Sequence, residues 1–277
     1  MQIEDRVAIV TGGGGGIGSA IGAALAARGA RVLLADLDGD AAAAAAARIN
    51  DDHPGRAIAE SGDTARTEVI AGLIARAQAE FGPVDMYFAN AGITGGPGLD
   101  LTEAQWDRVL DVNLRAHIRA AQQLLPGWLE RGEGYFITTA SAAGLLTQIG
   151  SAGYAVSKHA AVSFAEWLSV TYGDRGVRVS CLCPMGVETK LMREGENSGD
   201  PLGEAATRAV TSAGDVLTPD QAAATVIEAL GDERFLILPH ANVRDMYQQK
   251  ASDYDRWLRG MRRYQASLLA TADGPAR

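Results

Sequence analysis

The chain runs to 277 residues, enough to bury one large core, and an open α/β sheet commonly uses that length as a single domain. Its formal net charge of −9 argues against a nucleic-acid surface, which wants clustered basic residues, whereas the 25 Lys and Arg are scattered apart from Arg259, Arg262 and Arg263. The opening Met1-Gln-Ile-Glu-Asp-Arg-Val7 lacks a basic region followed by an apolar core, and no continuously apolar stretch of about 18 residues occurs, so a cytoplasmic protein that does not enter a membrane is expected.

The apolar run Val7-Ala-Ile-Val10 predicts the first strand, which leads through Thr11-Gly-Gly-Gly-Gly-Gly-Ile-Gly18 into an alanine-rich helical pattern. A strand that ends in a glycine turn and opens a helix aims unpaired backbone N–H groups at one spot. The positive end of the helix dipole lies there too, so a pyrophosphate can settle. Glycine is needed because a Cβ would block the phosphates and because the turn visits positive φ. Gly12, Gly16, Ile17 and Gly18 are therefore candidate cofactor contacts. Lys and Ser/Thr do not follow the glycine run, which excludes a P-loop.

The second run, Val32-Leu-Leu-Ala35, closes on Asp36, which lies 20 residues beyond Gly16. A carboxylate there would accept hydrogen bonds from the adenosine ribose hydroxyls. Asp36 would also repel a 2′-phosphate, and no Arg or Lys stands among Leu37, Asp38 and Gly39 to receive one. The expected cofactor is NAD rather than NADP.

Further strands are expected near 56–60, 84–88, 134–139, 177–183 and 235–238, with helical stretches between them, one of which carries the run Ala41 to Ala47. Such alternation means right-handed crossovers and a doubly wound, Rossmann-like parallel sheet of about seven strands, with helices on both faces. A single domain over 1–240 is expected, followed by a helical tail over 241–277.

Four positions in the middle of the chain carry chemistry. Asn113, in Asp-Val-Asn-Leu-Arg115, sits mid-helix where Asn is unfavourable, and holding a water behind a lysine is one reason for it. Ser141 follows the strand Tyr135-Phe-Ile-Thr-Thr139 and so lies at a carboxyl end, the edge at which open α/β sheets bind ligands. Its hydroxyl would donate to a substrate oxygen as charge develops there. Tyr154 and Lys158 sit four apart in a helical stretch and share a face. The lysine cation is expected to favour the phenolate and to bring Tyr154 toward acid–base work near neutrality.

Cys181 and Cys183 are expected to point to opposite faces of one strand, suiting neither a mutual disulfide nor a metal clip. His53, His117, His159 and His240 show no metal-ligand spacing and are read as surface or satisfied structural histidines; no metal is expected. Residues 190–217 are polar and Gly-rich with weak helical pattern, a mobile excursion placed where a lid would be. Beyond the last strand, apolar residues from Val243 through Tyr254 and Trp257 to Leu268 recur at three- and four-residue spacing. One amphipathic C-terminal helix is expected, packed on its own core or on a partner subunit, with a share in walling the pocket as the lesser alternative.

Taken together, the glycine turn, Asp36, Asn113, Ser141, Tyr154 and Lys158 resemble the short-chain dehydrogenase/reductase family over about residues 5–240. The family pattern T-G-x-x-x-G-x-G reads here as Thr11 to Gly18, N-A-G as Asn90 to Gly92, and Y-x-x-x-K as Tyr154 to Lys158 with Ser141 thirteen residues upstream. The resemblance implies that Asn113, Ser141, Tyr154 and Lys158 are catalytic, that Lys158 and Tyr154 also contact the cofactor, that Asp63 meets the adenine, and that Asn90 and Gly92 support the cofactor. It further implies that Val187 and Thr189 meet the carboxamide, and that the protein is a homotetramer or dimer built on helices flanking the sheet. Two departures stand out: Ala89 replaces the first of two asparagines, and Met185 follows Pro184 where the family has Gly.

The implied reaction is hydride transfer between NAD(H) and a secondary alcohol or ketone. Ala143, Gln148, Met185, Gly186, Leu191 and Met192 are candidate pocket walls, mostly apolar, which favours an apolar or aromatic small-molecule substrate. Two alternatives are an NAD-binding protein without net turnover and an isomerase or dehydratase on the same fold.

Overall fold

A computed structural model describes residues 1–196 and 199–270. In chain order come β1 (Val7–Thr11), α1 (Gly16–Ala26), β2 (Arg31–Asp36), α2 (Gly39–Asp52), β3 (Ala57–Ser61), α3 (Thr67–Phe81), β4 (Met86–Ala89) and α4 (Glu103–Leu110). A π-helical turn, Asp111–Arg115, leads into α5 (Ala116–Arg131) and β5 (Gly134–Thr139). Then follow α6 (Ala143–Leu146), α7 (Ala152–Tyr172), β6 (Val177–Leu182), α8 (Lys190–Glu196), α9 (Pro201–Thr211), α10 (Pro219–Gly231), β7 (Leu236–Ile237), α11 (Asn242–Ser252) and α12 (Tyr254–Ala270).

The seven strands form one parallel sheet in the order β3-β2-β1-β4-β5-β6-β7, as the alternation of elements predicts. Side chains alternate between two cores, because a strand has a period of two. Val7 and Ile9 of β1 join Leu73, Leu124 and Leu168 of α3, α5 and α7 on one side. Ala8 and Val10 join Leu25, Ile49 and Val226 of α1, α2 and α10 on the other. Strands apolar on both faces read as continuous apolar runs, which is why they were legible from the sequence.

Two helix starts follow the same capping rule. Thr102 and Thr218 each accept from the backbone N–H three residues on, and Gln105 and Gln221 reach back to the cap.

Three expectations need correction. Cys181 and Cys183 do not face opposite ways: residues two apart on a strand share a face, and their sulfurs lie 3.7 Å apart within one core. The stretch 190–217 carries two helices, α8 and α9, although its residues 197–198 lie outside the described residues. The signal was Asp200-Pro201, where Asp200 accepts from Leu202 N–H at 2.8 Å and Gly203 N–H at 3.1 Å, and Pro201 opens the helix. The tail is two helices rather than one, because Asp253 is extended and its carboxylate accepts the Arg256 N–H at 2.9 Å, starting α12 anew.

Those tail helices pack on their own chain, α11 against α6 and α12 against α9. Buried Lys250 donates to the Leu145 carbonyl at 2.6 Å, and Tyr264 shares hydrogen bonds with Ser212 and the Ala209 carbonyl. Residues 271–277 of the predicted tail lie outside the described residues.

Trp128 packs edge-on to Phe136, which stacks on Tyr87, and its indole N–H donates to the Val84 carbonyl at 2.8 Å. Gly134 makes room for that indole: a Cβ there would lie 2.1 Å from Trp128 Cδ2. Gly134→Ala is therefore expected to destabilise the fold by about 1–3 kcal/mol through overpacking. Calorimetry reads this as a lowered thermal midpoint, and an unchanged midpoint would show that Trp128 can swing aside.

Candidate active site

The order of the sheet reverses between β1 and β4, and the chain leaves both strands on the same edge, opening a crevice there. The glycine turn fills the β1 side. Gly12 and Gly16 adopt φ of +64° and +52°, conformations that favour glycine. A Cβ on Gly18 would lie 2.1 Å from the Gly12 carbonyl oxygen, so the turn closes only with glycine there. Partly buried Ile17 follows at the start of α1. Gly15 caps α1 without any side-chain bond, and a Cβ on it would meet nothing within 4 Å. Uncapped helix donors facing open space suit a pyrophosphate.

Asp36 ends β2 beside this turn. Its carboxylate accepts the Gly14 N–H at 2.9 Å and the Asp38 N–H at 3.1 Å, which aims it across the turn. Asp63 is held differently: it accepts from Ala65 N–H at 3.1 Å and from Arg108 at 2.7 Å. Burial works to raise its pKa, but the Arg108 bond and the Ala65 N–H outweigh it and hold the carboxyl below its ordinary value. Thr189, on the opposite wall, stands with its methyl 3.0 Å from where a Gly16 Cβ would lie. Val187, buried, pairs in a parallel bridge with Leu217. A dinucleotide fits these residues on their own geometry.

Asn90 stitches the strand ends together. It donates to the Thr11 carbonyl at 3.0 Å and accepts from Thr139 at 3.1 Å, while the Thr11 hydroxyl accepts the N–H groups of Asn90 and Ala91. Thr11 is a structural pivot that its motif position did not reveal.

The chemistry-bearing residues converge on Gly92. A Cβ there would lie 3.3 Å from both Asn113 Oδ1 and Lys158 Nζ. Asn113 is fully buried in the π-helical turn, a distortion frequent at functional sites. It donates to the Ile93 carbonyl and the Ser157 hydroxyl, each at 2.9 Å, and accepts the Ile93 N–H at 2.9 Å. The side-chain amide is thus committed to protein groups. Its role is to tie the loop after β4 to the helix that bears Tyr154 and Lys158, rather than to hold water through its side chain. Ser157, the partner in that tie, had no sequence signal apart from any other helical serine.

Ser141, buried, accepts the Ala143 N–H at 3.1 Å and donates to the Pro184 carbonyl at 3.4 Å, and its hydroxyl stands close enough to that of Tyr154 to act on its proton affinity. Lys158 donates to the Thr139 carbonyl at 2.9 Å and lies 5.6 Å from the centre of the Tyr154 ring. The expected lowering of the Tyr154 pKa is not found. Burial pushes the phenol up, the Ser141 hydroxyl opposes this, and Cys183 adds to the rise. Burial likewise brings the Lys158 ammonium down to about 8. Removal from water penalises the charged form of each group.

His117 corrects another expectation. It is buried, but neither ring nitrogen has a protein partner, and burial, then the Lys158 charge, lowers its pKa to about 3. His159 bonds the Ala155 carbonyl, and His240 is fully satisfied.

Of the pocket candidates, Ala143 is buried at the start of α6, and Gln148 donates to the carbonyls of Ile149 and Ala206, tying α9 down. Met185 runs back toward Gly214, where a Cβ would meet its methyl at 2.9 Å. Gly186 is buried against Val210 and Val216, while Leu191 and Met192 are half-buried on α8. Among the described residues no helix is long and apolar enough to cross a membrane, and no group of three or more His, Cys, Asp or Glu is placed to hold a metal ion.

The family model for short chain dehydrogenase matches residues 6–200. The chain is 34% identical over 257 residues to 1-deoxy-11-beta-hydroxypentalenate dehydrogenase of Streptomyces exfoliatus, covering 91% of this chain and 90% of the relative. To levodione reductase of Leifsonia aquatica it is 32% identical over 206 residues, 72% of this chain and 76% of the relative. A crystal structure of a short chain dehydrogenase/reductase from Burkholderia phymatum in complex with NAD matches with a TM-score of 0.83 at 28% identity, covering 92% of this chain and 96% of that one. The chain belongs to the short-chain dehydrogenase family and is an oxidoreductase.

The lowered Lys158 pKa has a measurable consequence. Between about 8 and the ordinary 10.5 the unfolded chain binds a proton at this site that the folded protein does not. The site's contribution to stability is therefore fully present above 10.5 and lost as pH falls through about 8. Lys158→Met removes this titration and is expected to exceed the wild type in stability at neutral pH by on the order of 3 kcal/mol, a gap that closes as pH rises. Urea unfolding across a pH series measures it. A gap independent of pH would rule out a buried charge at Lys158.

Proposed function

We propose that the protein interconverts apolar secondary alcohols and ketones by hydride transfer with NAD(H), and that Asn113, Ser141, Tyr154 and Lys158 carry the step. The observation that carries this reading is the meeting of Ser141, Tyr154 and Lys158 at the carboxyl end of β5, beside the crevice where the sheet order reverses. NAD, when bound, supplies the hydride acceptor, and the protein supplies its orientation. Gly12, Gly16, Ile17 and Gly18 would hold the pyrophosphate, Asp36 the adenosine ribose and Asp63 the adenine. Asn90 and Gly92 would support the cofactor from below, Val187 and Thr189 would meet its carboxamide, and Tyr154 and Lys158 would contact the nicotinamide ribose.

In the oxidative direction Tyr154 accepts the alcohol proton at its Oη. Ser141, beside that oxygen, steadies the substrate oxygen as charge develops there. Lys158 keeps its positive charge at neutral pH, since about 8 is its pKa, and presents it beside the phenol as the proton moves. Asn113 holds the backbone of Ile93 and the Ser157 hydroxyl, and thereby the register of the helix that carries Tyr154 and Lys158. Reduction runs the same path in reverse.

Gln148 is the one polar side chain among the proposed pocket walls, and its amide nitrogen is already bonded to two carbonyls. Ala143, Met185, Gly186, Leu191 and Met192 leave the remaining wall apolar, which supports an apolar or aromatic substrate over a hydroxy acid. Two free, buried cysteines whose sulfurs approach within 3.7 Å without bonding suit a reducing compartment, and we place the enzyme in the cytoplasm. The outer face of α7 exposes Val156, Trp167 and Val170, the last at 87%, and this supports a homo-oligomer built on that helix.

NADH formation with a panel of secondary alcohols tests the reaction. Cyclic and aryl alcohols are expected to turn over with NAD, NADP to be at least about tenfold poorer in kcat/KM, and Tyr154→Phe to lose about a hundredfold or more in kcat. Tight NAD binding without turnover by any alcohol or ketone would favour the binding-protein alternative. Trp167→Glu is expected to lower the oligomeric state seen by sedimentation, and an unchanged mass would place the interface elsewhere.

A further inference from the structure

His240 stands at a junction of three segments. It follows β7, is 6% exposed, and precedes α11. Its Nδ1 accepts the Met185 N–H at 3.2 Å, and its Nε2 lies 3.0 Å from the Gly186 carbonyl oxygen. Because Nδ1 accepts, the ring proton is assigned to Nε2, which donates to Gly186: one tautomer of a neutral imidazole satisfies both groups. The same Gly186 carbonyl accepts the Leu217 N–H at 2.9 Å, and the Leu217 carbonyl accepts the Glu188 N–H at 2.9 Å. The exit of β6, the return from α9 and the entry to the tail therefore meet on one ring.

The peptide so clamped lies immediately before Val187 and three residues before Thr189, which faces the glycine turn across the crevice. A rigid ring with an acceptor and a donor at opposite positions bridges an N–H and the next residue's carbonyl without the rotamer freedom that a longer polar chain would have to lose. Protonation would turn the acceptor into a second donor and set it against the Met185 N–H. Burial acts against that, holding the ring neutral below the ordinary histidine range. The charged group acting on it among the described residues is Asp215, on the return segment, and it opposes the shift, as do the backbone bonds to Gly186 and Asp215.

We propose that His240 is a positioning residue for the nicotinamide half of the cofactor: by bridging Met185 N–H and Gly186 C=O it sets the peptide from which Val187 and Thr189 reach the carboxamide. This rests on the carboxamide reading of those two residues given above. Met185, the departure from the family pattern, is then one end of the clamp as well as a pocket wall.

The test compares NAD with ADP-ribose, which has the same adenosine, pyrophosphate and second ribose but no nicotinamide, by calorimetric titration of wild type and His240→Phe. The variant keeps an aromatic ring and loses both bonds. Loss of one or two hydrogen bonds is expected to weaken NAD by about tenfold and to leave ADP-ribose within about twofold. In the wild type the margin of NAD over ADP-ribose should shrink as pH falls below the histidine range, and in the variant it should not depend on pH. Should His240→Phe fail to fold, His240→Gln, which keeps a polar side chain but not the rigid bridge, is expected to lose part of the same margin. Equal weakening of both ligands, or of neither, would overturn the proposal. A wild type that binds ADP-ribose but gains nothing from the nicotinamide would instead overturn the carboxamide reading beneath it, and one that binds neither ligand would overturn the dinucleotide site itself.

Discussion

Parallel pairing of β1 with β2 on one side and β4 on the other is the constraint from which the rest of the molecule follows. Parallel strands put all their carboxyl ends on one edge, and a reversal of order at β1 leaves the loops there diverging to opposite faces. The glycine turn, Asp36, Asn90, Ser141 and Val187 come from five different strand ends, yet they share that edge for this one reason. Nothing local to any of them would bring them together.

Burial does the next part of the work, and it works against the charges that the site needs. Lys158 is buried and Tyr154 half-buried, and the hydration each gives up pushes it toward its neutral form. An ammonium at 3% exposure costs the fold stability. The stability given up there is the usual mark of a functional residue. Around it, the tail helices and His240 hold α6, α9 and the β6 exit by hydrogen bonds to backbone, which positions peptide groups.

The five central strands, β1, β2, β4, β5 and β6, are legible because each is buried on both faces and reads as a short apolar run between turn signals. Asp36, Ser141, Tyr154 and Lys158 were legible because their distance from a glycine turn or a strand end is set by covalent geometry. Legibility failed where a partner far along the chain decides the outcome. His117 looks like His240 in sequence, yet one has no partner for either nitrogen and the other is bonded at both. Asn113 drew attention as an unfavourable helix residue, but its function as a tie between Ile93 and Ser157 depended on loops that only the fold brings together. The cysteine pair shares a face because side chains two apart on a strand point the same way, a matter of local geometry rather than of tertiary contacts. Asp253 and Asp200 each carried a capping signal that a continuous apolar or polar pattern overrode.

By itself, then, the chain's order of residues determined the elements, their parallel assembly and the presence of a dinucleotide turn, because periodicity, glycine conformational freedom and helix caps act within a few residues. Tertiary structure alone decided the direction of the Tyr154 and Lys158 pKa shifts, the packing of the tail on α6 and α9, and the clamp made by His240. These depend on desolvation and on hydrogen bonds between segments many tens of residues apart, quantities that have no value until the chain is folded.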